Sequence, residues 1–535
     1  MHQLIIKNGI VVDGTGALQR NTDIAINDGQ ITQIGDLHAV DAKKVIDAQG
    51  MFVTPGFVDI QNHSDAYWSF FKRPEFDSLI AQGITTIVVG NCGASLAPLL
   101  SRDALLAVQK WHNISGVNTN WVSFGEYLKE IGKNTYGTNI ASLVGYSTLR
   151  RGIVGDATRG LLPEEMDMAK DALRNSIRAG AFGLSTGLSY SHEAIIGEAE
   201  LIELAKIVAE EQGMLSVHLR SEAAEVMESL TEAINFAAKA GAENSVHPLN
   251  LKISHFKIRG SNNWHLLPNA IAEFERAYQK YGNVHFDLYP YDFTWQVLYS
   301  YLPRWAYEGG HDAMVRNLKD PIKRGKILAY LNSQDVKYSE LYIASTALVL
   351  NVAGKRIGEI ARRHETSSEE ALLAIVENGG SDVLVFEQNV EMQQVEELLA
   401  HPLAICGTDG SAYGPENTHS EDLVHPRCFG AMPAFLKYVL QKKTISIEEA
   451  IQKITGTPAK KIGLQKRGTL EVGNFADIAI FNPEISDRAT MQDPFRFPVG
   501  MEYVLVNGET TVEKGLRTGI KPGEVLHFKV PQTLK

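Results

Sequence analysis

Five side chains form a set whose types could do chemistry together: His63, Cys92, His218, His255 and Asp409. A thiolate and two imidazoles suit Zn2+, and three protein ligands leave the fourth tetrahedral position for water. Cys92, His218 and His255 fit that role, and a zinc there would activate water at neutral pH and polarise a carbonyl. Asp409 would then act as general base and acid, taking a proton from the water and passing it to the leaving group. Taken singly each has a plain structural explanation: a buried cysteine is a small hydrophobe, and Asp409 before Gly410 could start a turn. What separates them from ordinary residues is where they fall.

Eight short apolar runs, at 57–60, 85–90, 139–145, 182–186, 215–219, 249–255, 284–289 and 403–408, alternate with helical patterns such as 163–179 and 198–211. Alternating strands and helices imply a parallel sheet, and eight repeats close a TIM-like (β/α)8 barrel whose catalytic groups collect at the C-terminal strand ends. His63 follows strand one, Cys92 strand two, and Asp409 strand eight; His218 and His255 lie at the ends of strands five and six. Residues 1–54 instead alternate at period two around Asn8-Gly9, Asp13-Gly14 and Asp28-Gly29, and the segment from Thr469 to Val512 repeats that pattern. We expect residues 1–54 and 465–535 to form one discontinuous β-sandwich around a barrel at 55–464. The long gap between strands seven and eight, aromatic near Trp295, predicts an inserted lid subdomain at about 292–345.

Composition removes other classes. With 51 Lys+Arg against 63 Asp+Glu the net charge is -12, so no nucleic-acid partner is expected. Three cysteines, Cys92, Cys406 and Cys428, do not make a disulfide framework and point to a reducing compartment. The opening MHQLIIKNG breaks before a signal-peptide core forms, and no run of ~18 apolar residues occurs, so the reading is a cytoplasmic protein with no membrane partner. Nothing in the pattern specifies an oligomer.

Arg220, Lys257, Arg259, Tyr289 and Tyr291 fall near the same rim. Lys257, two residues past His255, is placed to meet an anionic group, whereas Arg259 reads as a solvated edge. Gly183-Leu184-Ser185-Thr186-Gly187 matches the G-x-S-x-G elbow of serine hydrolases, but the polar stretch after it postpones any helix to about 198, so it reads as strand four.

The segments PGFVDIQNHSD (55–65), VVGNCGASLAPL (88–99), GLSTGLSY (183–190), HLRSE (218–222), ISHFKIRG (253–260), DLYPY (287–291), GTDG (407–410), HPRCFG (425–430) and GTLEVGNFADIAIF (468–481) resemble, in order, the N-acyl-D-amino-acid deacylases of the amidohydrolase superfamily. The resemblance implies hydrolysis of the amide of a small, anionic N-acyl-D-amino acid. It marks Cys92, His218 and His255 as ligands of one zinc and Asp409 as the acid/base. Lys257, Tyr289 or Tyr291, and Arg220 are then the substrate-binding candidates. The family's strand-one H-x-H reads Gln61-Asn62-His63 here, which leaves His63 as a weaker second-site candidate, because an amide is a poorer zinc ligand than imidazole. Two alternatives follow. A cyclic-amide hydrolase of the hydantoinase or dihydroorotase type would want a carboxylated lysine on strand four, which FGLSTG lacks. A catalytically inactive scaffold would account for Gln61.

Overall fold

The computed structural model describes residues 1–108, 119–157, 159–242, 250–346, 352–380, 383–416 and 423–529. Eight parallel strands make the barrel: β1 Phe57–Asp59, β2 Ile84–Val89, β3 Asn139–Ser142 continued by Val144–Gly145, β4 Gly183–Gly187, β5 Met214–His218, β6 Asn250–Ile253, β7 Val284–Leu288 and β8 Ala404–Cys406. Closure between β8 and β1 comes just past the strands, where Asn62 bridges Gly410 in parallel and the Asp409 N–H donates to the Gln61 carbonyl at 2.8 Å. The eight expected strands are therefore present; the expected start of strand six at residue 249 lies outside the described residues.

These strands are buried almost throughout, as in Ile-Thr-Thr-Ile-Val-Val of β2, which is buried at every position. Strands covered by helices on the outside and by packed side chains on the inside need no polar face. The helix Pro163–Ala179 shows how the outer layer is built: proline opens it, Glu164 and Glu165 sit in its first turn, and Ala169, Leu173 and Ile177 bury one stripe.

Both chain ends build a nine-stranded sheet with its own apolar core, joined where Phe52–Pro55 pairs antiparallel with Ile478–Ser486. Its N-terminal part is not purely antiparallel, since His2–Val11 runs parallel to both Ala42–Asp47 and Phe52–Pro55. The end of the chain departs from the expected sandwich assignment of 465–535. Gly523 and Val525 bridge Tyr136 and Ile140, and the Phe528 N–H donates to the Gly180 carbonyl, so this segment lies against the barrel.

The insertion also runs past the expected limit of 345. Phe293–Val297, Tyr342–Ser345 and Leu384–Gln388 form one antiparallel sheet, and a separate apolar cluster extends from Phe293 to Phe386. The strand at 384–388 pairs between the other two, which places it inside the subdomain. Among the described residues no helix is long and apolar enough to cross a membrane.

Candidate active site

Strand ends bring the chemistry together. Cys92, His255 and Asp409 all have left-handed backbone, with φ of 53°, 36° and 48°. Non-glycine residues rarely adopt that region, and where they do the surrounding structure imposes it, often at functional sites. Each residue leaves its strand on such a turn and so delivers its side chain over the barrel mouth. Gly90, before Cys92, has φ 77°, and a Cβ there would come within 2.2 Å of the Leu143 carbonyl oxygen, so the turn after β2 requires glycine.

Cys92, His218 and His255 are buried and offer ligand atoms within 4.8 Å of one another. Cys92 Sγ lies 3.3 Å from His255 Nε2, and the two imidazoles meet edge to face with centroids 4.4 Å apart. Burial alone would push the Cys92 thiol up, but the charge of His255 and hydrogen bonds with His218, His255 and His63 hold it well below the usual thiol range. The other two cysteines behave oppositely: burial drives Cys406 well above its ordinary value and Cys428 to about 12. Burial and Lys257 act to lower His255, yet Asp409 and Cys92 raise it to about 10. One soft thiolate and two imidazoles, buried and convergent, fit zinc. A divalent cation held by this set would require His255 Nε2 without its proton and Cys92 as thiolate.

His63 and Asp409 join the same cluster, with His63 Nε2 3.0 Å from Asp409 Oδ1. Burial would raise the Asp409 carboxyl, but Arg427, His255 and His63 hold it well below the ordinary carboxylate range. Burial would lower His63, and its hydrogen bonds to Asp409 and Cys92 lift it to about 9.

Two residues the sequence reading did not assign complete the site. Glu222 of HLRSE accepts from His255 Nδ1 at 2.9 Å and from Lys257 Nζ at 2.7 Å, so one carboxylate fixes both the imidazole and the lysine. Arg427 of HPRCFG places Nη1 2.8 Å from Asp409 Oδ2, with its guanidinium 4.4 Å from the Tyr289 ring centroid. Only the quoted motifs signalled these positions; their spacing did not.

All of these groups line one cavity of about 480 Å³, into which the insertion contributes Trp295, Leu302 and Tyr307. Lys257 and Tyr289 line it as expected. Tyr291 does not: its ring packs against His425 and Phe293, and its N–H donates to the Tyr289 carbonyl at 3.0 Å across a tight turn at Pro290. Arg220 reaches the wall, but its guanidinium is spent on Glu232 and on the Ala194 and Ile196 carbonyls, so it braces a loop. Arg259, read as a solvated edge, instead lines the cavity with Nε 3.5 Å from Glu222 Oε2. Ser185 is the middle of β4, not a strand-to-helix turn, and its hydroxyl donates to the Gly90 carbonyl and accepts from the Gly93 N–H, which argues against the elbow reading.

The chain is similar along nearly its whole length to proteins of one kind. A family model described as the amidohydrolase family matches residues 356–512. N-acyl-D-aspartate deacylase of Alcaligenes xylosoxydans xylosoxydans is 29% identical, covering 98% of this chain and 94% of that protein. D-aminoacylase of the same organism is 27% identical, over 98% and 97%. The crystal structure of N-acyl-D-glutamate deacylase from Bordetella bronchiseptica, complexed with zinc and a phosphonate mimic of the tetrahedral intermediate, superposes with TM-score 0.81 at 27% identity, covering 98% and 100%. Along nearly its whole length the chain resembles N-acyl-D-amino-acid deacylases. Gln61 is set against the cluster, with Nε2 3.2 Å from Cys92 Sγ.

Proposed function

We propose that this protein is a zinc-dependent deacylase that hydrolyses the amide bond of N-acyl-D-amino acids to a free D-amino acid and a carboxylate, using the groups described above. The observation that carries the reading is the convergence, in one cavity, of the Cys92, His218 and His255 donor set with ionised Asp409 and two cations, Lys257 and Arg427. The D configuration comes from the relatives' named substrates.

Cys92, His218 and His255 would hold the zinc, which supplies Lewis-acid polarisation of the scissile carbonyl and activation of water at neutral pH. Asp409 does the proton work. Its Oδ1, on the side of His63 and Cys92, takes the proton of the attacking water and delivers it to the departing amine nitrogen. Glu222 holds the His255 Nδ1–H and so turns Nε2 toward Cys92. Lys257 and Arg427 flank the Tyr289 ring at 5.8 and 4.4 Å, and together they would grip the substrate carboxylate in a chain that is acidic overall. Trp295, Leu302 and Tyr307 of the insertion give the rest of the cavity an aromatic and aliphatic wall.

The strand-four lysine of cyclic-amide hydrolases has no counterpart in Gly183–Gly187, which disfavours that alternative. Three free, buried cysteines support a reducing, cytoplasmic setting. The deciding experiment is a release assay on paired D and L N-acyl amino acids with varied side chains. Turnover of the D series is expected; turnover confined to the L series overturns the assignment.

A further inference from the structure

Beneath the donor cluster lies a buried charge that the mechanism above does not use. Lys252, on β6, is fully buried, with Nζ 2.6 Å from Asp287 Oδ1 and 2.5 Å from Gln61 Oε1. An ammonium group only donates, so it fixes the oxygen end of the Gln61 amide toward itself. The other end is thereby aimed upward: Gln61 Nε2 is 3.2 Å from Cys92 Sγ and 3.5 Å from Asp409 Oδ1. The positive charge at Nζ polarises the amide and strengthens those N–H donors.

His63, Cys92 and Asp409 also make a second triad of ligand atoms within 4.8 Å of one another. A cation there would need lone pairs from Cys92 and Asp409, and at both atoms it would meet a Gln61 N–H. Charge opposes it as well. Asp287 is paired with Lys252, Asp409 with Arg427, and Glu222 with Lys257, so every one of these buried carboxylates already has its counter-charge. A second divalent ion would add two positive charges with no new anion to meet them.

We propose that Lys252 and Gln61 act as a built-in substitute for a second metal ion: they supply Cys92 and Asp409 with the positive partner on that side and keep the His63 triad metal-free. The proposal rests on the reading of Cys92, His218 and His255 as the zinc holders. It assigns Lys252 a positioning role, acting through Gln61 rather than on substrate.

The test is zinc stoichiometry of the full chain, equilibrated with excess zinc, desalted and measured by mass spectrometry of the metal, with circular dichroism as the fold control. Wild type is expected to retain one zinc. Gln61→Glu keeps the side-chain shape, replaces both N–H donors by an acceptor and cancels the Lys252 charge, so it is expected to retain two. The paired change Lys252→Met with Asp287→Asn frees the amide without leaving a lone buried charge, and it should tighten second-zinc binding by at least about tenfold. Two zincs in wild type, or one in folded Gln61→Glu, overturns the proposal while leaving the deacylase reading intact. A folded wild type that holds no zinc overturns both.

Discussion

Replacing Glu222 by Gln tests whether one carboxylate organises the metal site and the carboxylate grip together. Glu222 is 7% exposed, and its Oε1 accepts from both His255 Nδ1 and Lys257 Nζ while Oε2 stands 3.5 Å from Arg259 Nε. Glutamine keeps the shape and one acceptor oxygen but loses the charge and turns an NH2 toward a cation. Loss of such an outer acceptor on a ligating histidine costs about 10–100-fold in metal affinity, or roughly 1.4–2.8 kcal/mol. Removing one partner of a buried ion pair costs a further ~3–5 kcal/mol of folding stability. Zinc affinity of the folded protein, measured by competition with a chromophoric chelator, separates the two losses, and urea midpoints report the second. KM should rise as well, because Lys257 loses the group that positions it. A variant that folds and binds zinc within about twofold of wild type refutes the orienting role of Glu222.

Asp409→Asn is expected to keep its zinc while kcat drops by about 10²–10⁴; metal content and turnover measured on one preparation check this, and near-normal turnover removes the acid/base role. Tyr289→Phe should raise KM by roughly tenfold through loss of a hydrogen bond to a charged group, whereas Tyr291→Phe should leave KM unchanged, since its ring does not line the cavity. His285 bears on acid stability away from the cavity: burial, then Lys461, Lys453 and Lys460, depress it to about 3. The native state keeps this imidazole neutral while the unfolded chain protonates it below about 6.5, so its contribution is complete above that pH and is lost as pH falls toward 3. At pH 5 the loss amounts to about 2 kcal/mol. Urea midpoints at pH 7.5 and 5 should therefore diverge less in His285→Gln than in wild type, and equal divergence sinks the assignment.

The sequence disclosed the parts of the site that sit at strand ends, because an apolar run followed at once by Cys92, His255 or Asp409 is visible locally. Groups whose meaning depends on a distant partner were not visible. Arg427 opens a helix, Arg427–Lys442, and meets Asp409 only through the fold. Lys252 lies within the short strand β6, and only the barrel interior brings it to Gln61 and Asp287. Arg220 misled for the opposite reason: a cation at the rim looks available until Glu232, carried by the following helix Val226–Ala242, is seen to hold it. The insertion was detected from its length, but its end was misplaced because Leu384–Gln388 pairs with strands far earlier in the chain.

The sheet shared by the two chain ends sets a timetable for synthesis. Phe52–Pro55 pairs with His2–Val11 on one side, but its other partner arrives late: Thr54 bonds Ala479, 425 residues downstream. At about 5–20 residues per second the wait is roughly 20–85 s. Through that interval the N-terminal half-sheet presents a bare apolar strand edge on the ribosome, the kind of edge that recruits other chains. Soluble yield, rather than turnover, is accordingly the property most exposed to changes along residues 52–55.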